Sequence, residues 1–186
     1  MATIVVPKVI QAFDLDRPLI FLAGPIRGGG DWQHQMAEEL IGQCNDVQIA
    51  CPSRWPAEHP LAEYFTMPFS PAANRQLHWE RHYMETAGLR HGIKGCVLFW
   101  LGLEDSDNPH PGPEPYAMDT RRELGKFTAF LTTYNARIAV GGNPEFYGLS
   151  VIRDELDDAR NTAFPFYENM RDLATNALEV AHRAKG

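Results

Sequence analysis

Cysteine is scarce in this chain. Three residues in 186, Cys44, Cys51 and Cys96, are too few and too irregularly spaced for a disulfide framework or a thiolate zinc site. An odd, unpatterned count suits a reducing compartment, so a cytoplasmic location is expected. Basic charge is short as well. Seventeen Lys+Arg against 24 Asp+Glu leave a formal net charge of -7, which argues against a broad nucleic-acid or membrane-surface footprint. No apolar run approaches the roughly 20 residues of a membrane-spanning helix. The opening Met1-Ala-Thr-Ile-Val-Val-Pro7 has no basic region followed by an apolar core, so no secretory leader is expected. There is no dinucleotide fingerprint, no phosphate-binding Gly-Lys-Ser/Thr loop and no Gly-x-Ser-x-Gly elbow. Among the seven histidines, His34, His78, His82 and His91 show no ligand pair tied to a third ligand, and the His78/His82 spacing is that of an ordinary helix surface. Neither a metal nor an organic cofactor is expected. What remains is 44% hydrophobic with a mean hydropathy of -0.33, which fits one soluble globular domain over residues 1–186.

Apolar runs alternate with helical patterns along this domain. Ile20-Phe-Leu-Ala23 reads as a strand running into the glycine-rich turn Gly24-Pro-Ile-Arg27-Gly28-Gly-Gly30. A helix follows, with Asp31 as its N-cap and Trp32, Met36 and Leu40 at helical spacing. Val47–Cys51 is a second strand, ended by Pro52. Residues 52–73 are rich in proline and aromatics, an uncommonly long connection and a candidate lid. A helix over 74–91 precedes the run Cys96-Val-Leu-Phe-Trp-Leu101, whose unbroken hydrophobicity fits a strand covered on both faces. A loop over 102–117, a helix over 118–132, a strand at 137–142 and helices over 149–160 and 168–184 complete the order, with Phe164–Tyr167 between the last two. Such alternation predicts an α/β fold with a parallel sheet and right-handed crossovers. The first ~18 residues are expected to be loosely ordered or to support subunit contacts.

In an open α/β sheet, ligands bind beyond the carboxyl ends of the strands. Two segments meet that requirement. In the first, glycines let a ligand approach the backbone of 24–30, and the helix start at Asp31 and Trp32 offers unpaired N–H groups, so Gly24, Pro25, Arg27, Gly28, Asp31 and Trp32 are candidate binding residues. In the second, Asp119 and Glu123 are four apart and share one helical face next to the loop. Glu123 is the candidate nucleophile, since a carboxylate can attack an anomeric carbon; its bland alternative is a surface acid paired with Arg122 or Lys126. Asp119 is either the N-cap of that helix or a proton donor at a leaving group. Glu80 is either a solvated helix charge or a ligand for sugar hydroxyls. Trp100, at the end of the central strand, is either core or a flank for a planar base.

Taken in order, Phe21-Leu-Ala-Gly-Pro-Ile26, Asp31-Trp32, Trp79-Glu80, Val97-Leu-Phe-Trp-Leu101, Arg122-Glu-Leu-Gly125, Arg137-Ile-Ala-Val-Gly141 and Pro144-Glu-Phe-Tyr147 resemble the nucleoside 2-deoxyribosyltransferase family over roughly residues 18–150. The resemblance implies a flavodoxin-like three-layer sandwich with a five-stranded parallel sheet, with 151–186 as a helical extension. It implies cleavage of the N-glycosidic bond between a base and 2-deoxyribose, with Glu123 as nucleophile, Asp119 serving the leaving base and Glu80 holding the sugar hydroxyls. It also implies nucleosides and nucleobases as small-molecule partners, no nucleic-acid polymer or membrane, and a homo-oligomer. Ile26-Arg-Gly-Gly29 is similar to a stretch in related deoxynucleotide N-glycosidases, although Pro25 stands where their loop offers a serine.

Overall fold

In a computed structural model of the protein, residues 1–7, 10–53, 55–56, 58–66 and 76–183 are described. Six parallel strands form one sheet: β1 (Thr3–Val5), β2 (Leu19–Ala23), β3 (Gln48–Ala50), β4 (Gly95–Leu101), β5 (Ile138–Gly142) and β6 (Phe166–Tyr167). Their order across the sheet is β1-β3-β2-β4-β5-β6. The segment β3-β2-β4-β5-β6 has the flavodoxin-like order, and β1 adds an edge strand beside β3. The expected five strands are therefore six. The additional strand comes from the N-terminal stretch expected to be loose.

Five helices cover the two faces. On one side lie α1 (Trp32–Gln43) and α5 (Met170–His182), packing Trp32, Met36, Ala37, Leu40, Leu173, Ala177 and Ala181 against Ile20, Leu22, Cys96 and Leu98. On the other lie α2 (Gln76–Leu89), α3 (Met118–Tyr134) and α4 (Leu149–Arg160), which pack Trp79, Tyr83, Leu124, Phe127 and Leu156 against Phe21, Val97, Phe99 and Val140. Alternate residues of β2 and β4 feed the two cores, and every residue of both strands is buried. That is why these strands read as unbroken apolar runs. The tail is not an appendage. Asn169 caps α5 by accepting the Asp172 N–H, and α5 fills its face of the sheet beside α1.

The N-terminal stretch is tied down by side chains. The Arg17 guanidinium donates to the carbonyls of Met1, Asp46 and Val47. Gln48 bonds both the N–H and the C=O of Asp14. Tyr83 Oη accepts the Gln11 N–H and donates to the Gln11 carbonyl.

Among its described residues, the long connection after β3 contains a 3-10 turn at Ala62–Tyr64 and returns to the edge strand, where Thr66 N–H donates to the Ile4 carbonyl. Trp55 and Leu61 are buried in the core on the α1 side. Residues 54, 57 and 67–75, on which much of the lid expectation rests, lie outside the described residues.

Candidate functional site

The strand order reverses between β2 and β4, because β2 leads to β3 on one side and pairs with β4 on the other. A cleft of about 660 Å³ opens there, within the range of small-ligand sites. Its wall is contributed by the turn after β2 (Gly24–Arg27), by Pro52, by α2 (Gln76, Leu77, Glu80), by the loop before α3 (His110, Glu114, Pro115, Ala117) and by the first turns of α3 (Met118, Asp119, Thr120, Arg122, Glu123).

Three acids singled out from the sequence therefore meet in one cleft: Glu80, Asp119 and Glu123. Their environments differ. Glu123 is half-buried, and neither neighbouring cation pairs with it: Arg122 bonds Asp119 at 3.2 Å and Lys126 bonds Glu85 at 3.1 Å. The surface ion pair considered for Glu123 is thus not formed. Burial, then the charges of Glu80 and Asp119, push its carboxyl up to about 7. The dipole at the start of α3 favours the ionised form by only about 0.3–1 kcal/mol and is outweighed by desolvation and two like charges.

Glu80 is half-buried on α2, where Gln76 Nε2 donates to its Oε1 at 2.9 Å while also reaching the Pro52 carbonyl at 3.3 Å. The adjacent Trp79 anchors this register, its ring buried against Phe21 and Tyr83. Asp119 is 76% exposed and stands on the rim. It is not the N-cap of α3. That place belongs to Ala117, held in the left-handed region at φ 57°, and Asp119 lies in the first turn.

The glycine turn divides. Gly24, Pro25 and Arg27 line the cleft, whereas Gly28, Asp31, Trp32 and Trp100 are not among its lining residues. Trp32 is buried in the opposite core, and its indole donates to the Pro25 carbonyl at 2.7 Å, so it shapes the turn from behind. A side chain at Gly24 would put its Cβ 2.5 Å from the Trp32 ring and 2.7 Å from the Trp100 carbonyl; that close approach is what the glycine permits. Gly28, at φ +73°, packs against the backbone of His110, and its carbonyl accepts the Asp105 N–H at 2.7 Å. Trp100 also points into the α1 side of the sheet, because strand alternation sends it opposite to Phe99 and Leu101. Asp31 stands at the N-cap of α1 but makes no side-chain cap; its carboxylate bonds His34 instead.

Sequence reasoning did not single out His110, Gln76 or Glu114. The 102–117 loop is held in place by Tyr116 Oη, which donates to the carbonyls of Gly102 and Leu103, and by Glu104, which accepts the His110 N–H. A histidine in a polar loop carries no periodic signal, so only the fold brings it to the cleft.

No helix among the described residues is long and apolar enough to cross a membrane. No protein-family model matches the chain, and no curated protein matches it.

Proposed function

We propose that the protein cleaves the N-glycosidic bond of 2-deoxynucleosides and transfers the deoxyribosyl group to a second base. The observation that carries this reading is Glu123: a half-buried carboxylate with no cation paired to it among the described residues, lining a cleft at the sheet's switch point beside Glu80 and Asp119. In its ionised form Glu123 attacks C1′ of the sugar. The C1′–N bond breaks, its electron pair leaves with the base, and Asp119 on the rim supplies the proton the base takes up. A second base attacks C1′ of the glycosyl-Glu123 ester through its ring nitrogen, returns that nitrogen's proton to the Asp119 carboxylate, and regenerates the Glu123 carboxylate as the C1′–O bond breaks. Glu80, steadied by Gln76, accepts a hydrogen bond from a sugar hydroxyl. The order of apolar strand, loop and Arg122-Glu-Leu-Gly125, which resembles the deoxyribosyltransferases, supports the same assignment.

Deoxyinosine incubated with adenine should yield deoxyadenosine and hypoxanthine, resolved by chromatography. Glu123→Ala should lose at least ~1,000-fold in rate while keeping the helical circular dichroism of the parent. Absence of exchange at high enzyme concentration, or an active Glu123→Ala variant, would sink the proposal.

One observation favours a second reading, hydrolysis of a deoxynucleoside 5′-monophosphate. Arg27 lines the cleft, is exposed and makes no ion pair among the described residues, so it is available to a phosphate. Release of deoxyribose 5-phosphate from a deoxynucleotide, with loss of that preference in Arg27→Ala, would decide for it.

A further inference from the structure

On the α1 side of the molecule, away from the cleft lining, two histidines and two carboxylates converge. Asp31 Oδ2 lies 3.0 Å from His34 Nδ1, and Glu38 Oε1 lies 3.2 Å from His34 Nε2. The imidazole of His59, brought in by the connection after β3, has its centroid 4.9 Å from that of His34. One ligating atom each from Asp31, His34 and His59 falls within 4.8 Å of the other two. Among the described residues no lysine or arginine pairs with Asp31 or Glu38.

The hydrogen bonding around His34 is incomplete in a specific way. A neutral imidazole has one N–H and one lone pair, so His34 can donate to only one of the two carboxylates and turns a lone pair on the other. Its Nε2 is buried and has no hydrogen-bond partner. Its nearest polar neighbour, Glu38, offers another acceptor. Two acceptors facing each other need a cation between them. A carboxylate fixing the far nitrogen of a histidine is also the arrangement that orients metal-bound imidazoles. His59 is held flat against Trp55, ring centroids 4.2 Å apart and planes within 9°, which fixes the ring beside His34.

We propose that Asp31, His34 and His59 form a site for one divalent transition-metal ion, with Glu38 at the other ring nitrogen of His34 and Zn²⁺ the best match to two imidazoles and a carboxylate oxygen. Two neutral histidines and two carboxylates balance the charge of the dication. Ligands about 2.1 Å from zinc stand about 3.4 Å apart in a tetrahedron, so the present spread closes by about an ångström of side-chain movement. Ligation costs one long hydrogen bond, Leu61 N–H to His59 Nδ1 at 3.2 Å. If Nδ1 ligates, its lone pair is used; if Nε2 ligates, Nδ1 must carry the ring proton. The bound ion clips the Trp55–Phe65 connection to α1.

The rival occupant of the gap is a proton on His34, held between Asp31 and Glu38. The test is to titrate Zn²⁺ into the chelator-stripped full-length protein against a chromophoric chelator. A Cys44→Ser background removes the one thiol that is not buried. One equivalent should bind, and His34→Ala and His59→Asn should each weaken it by ~10-fold or more, whereas His82→Ala on α2 should leave it unchanged. On the unaltered protein, Co²⁺ should give visible bands of low-coordinate geometry without thiolate charge transfer. That readout stands even if a variant misfolds. Absence of saturable binding means that the proton alone occupies the gap and overturns the proposal. So does binding that survives both histidine substitutions, or that is lost in His82→Ala.

Discussion

Glu123 carries the sharpest consequences at the scale of single residues. Its carboxyl is pushed up to about 7, first by burial, then by Glu80 and Asp119. A nucleophile must be ionised, so kcat/KM, which reports the free enzyme, should fall as pH drops below about 7. Glu80→Gln removes one of the two like charges, so this limb should move to lower pH even as the maximal rate falls. Asp119→Asn should move it in the same direction. Initial rates across pH 5–9 check this, and a limb that stays put in both variants would show that Glu123 is not the titrating group. The same shift has a stability counterpart. The folded-state value lies above the ordinary 4.5, so the folded protein holds this proton more tightly than the unfolded chain. The contribution is complete below about 4.5 and is lost as pH rises through about 7. Above that, an ionised Glu123 weighs against the fold by on the order of 2 kcal/mol after solvent screening. Glu123→Gln should therefore be more stable than the parent in urea at pH 8, with the gap closing toward pH 5. A gain in stability on loss of a functional acid is the usual trade at active sites.

At the scale of elements, the junction between β2 and α1 shows why the glycine turn is legible in sequence while its roles are not. A glycine-rich run between a buried strand and an amphipathic helix marks a turn at the strand's carboxyl end, and the turn is there. Which glycines face the cleft and which are filled from behind depends on Trp32, whose ring occupies the space over Gly24 and bonds Pro25. Trp100 failed as a base flank for a similarly simple reason. Its parity along β4 is opposite to that of Phe99, and the cleft lies on the side of Phe21 and α3. Parity is readable only once the face of the site is known. Gly24→Ala should cost about 2–4 kcal/mol, because its Cβ meets a ring and a carbonyl that are both packed. Gly125→Ala on α3 is the matched control: nothing lies within 4 Å of its Cβ, the position is exposed and helical, and a gain of ~0.5–1 kcal/mol is expected. Thermal unfolding of the two variants in parallel decides it. Destabilisation by Gly125→Ala would mean that a further surface packs on α3.

At the scale of the whole molecule, the alternation of apolar runs and amphipathic patterns was sufficient for the α/β class and for all five helices, because a sheet buried on both faces leaves unbroken hydrophobic strands. Two strands escaped. β6 has two residues and β1 three, too short for any periodicity, and β1 is recruited by side chains distant in sequence. The chief of these is Arg17. Its Nε donates to the Asp46 carbonyl and its Nη2 to that of Met1, both at 2.7 Å, with longer contacts to Thr3 Oγ1 and the Val47 carbonyl. One guanidinium thus spans β1 and the turn before β3, where a fork of planar donors can do what a lysine cannot. β1 covers the edge of β3, which would otherwise present unpaired backbone groups. Charge-assisted hydrogen bonds contribute roughly 1.5–3 kcal/mol when kept from water, but here the two short ones are exposed and the two long ones only partly buried. Arg17→Ala should therefore lower stability by about 1–2 kcal/mol, and Arg17→Lys should recover little of it. Hydrogen exchange should quicken at Thr3, Val5 and Cys51, whose N–H groups lie at this edge, while the buried centre of β4 stays protected. Exchange that rises equally across β1 and β4 would mean that the edge strand unfolds only with the whole sheet.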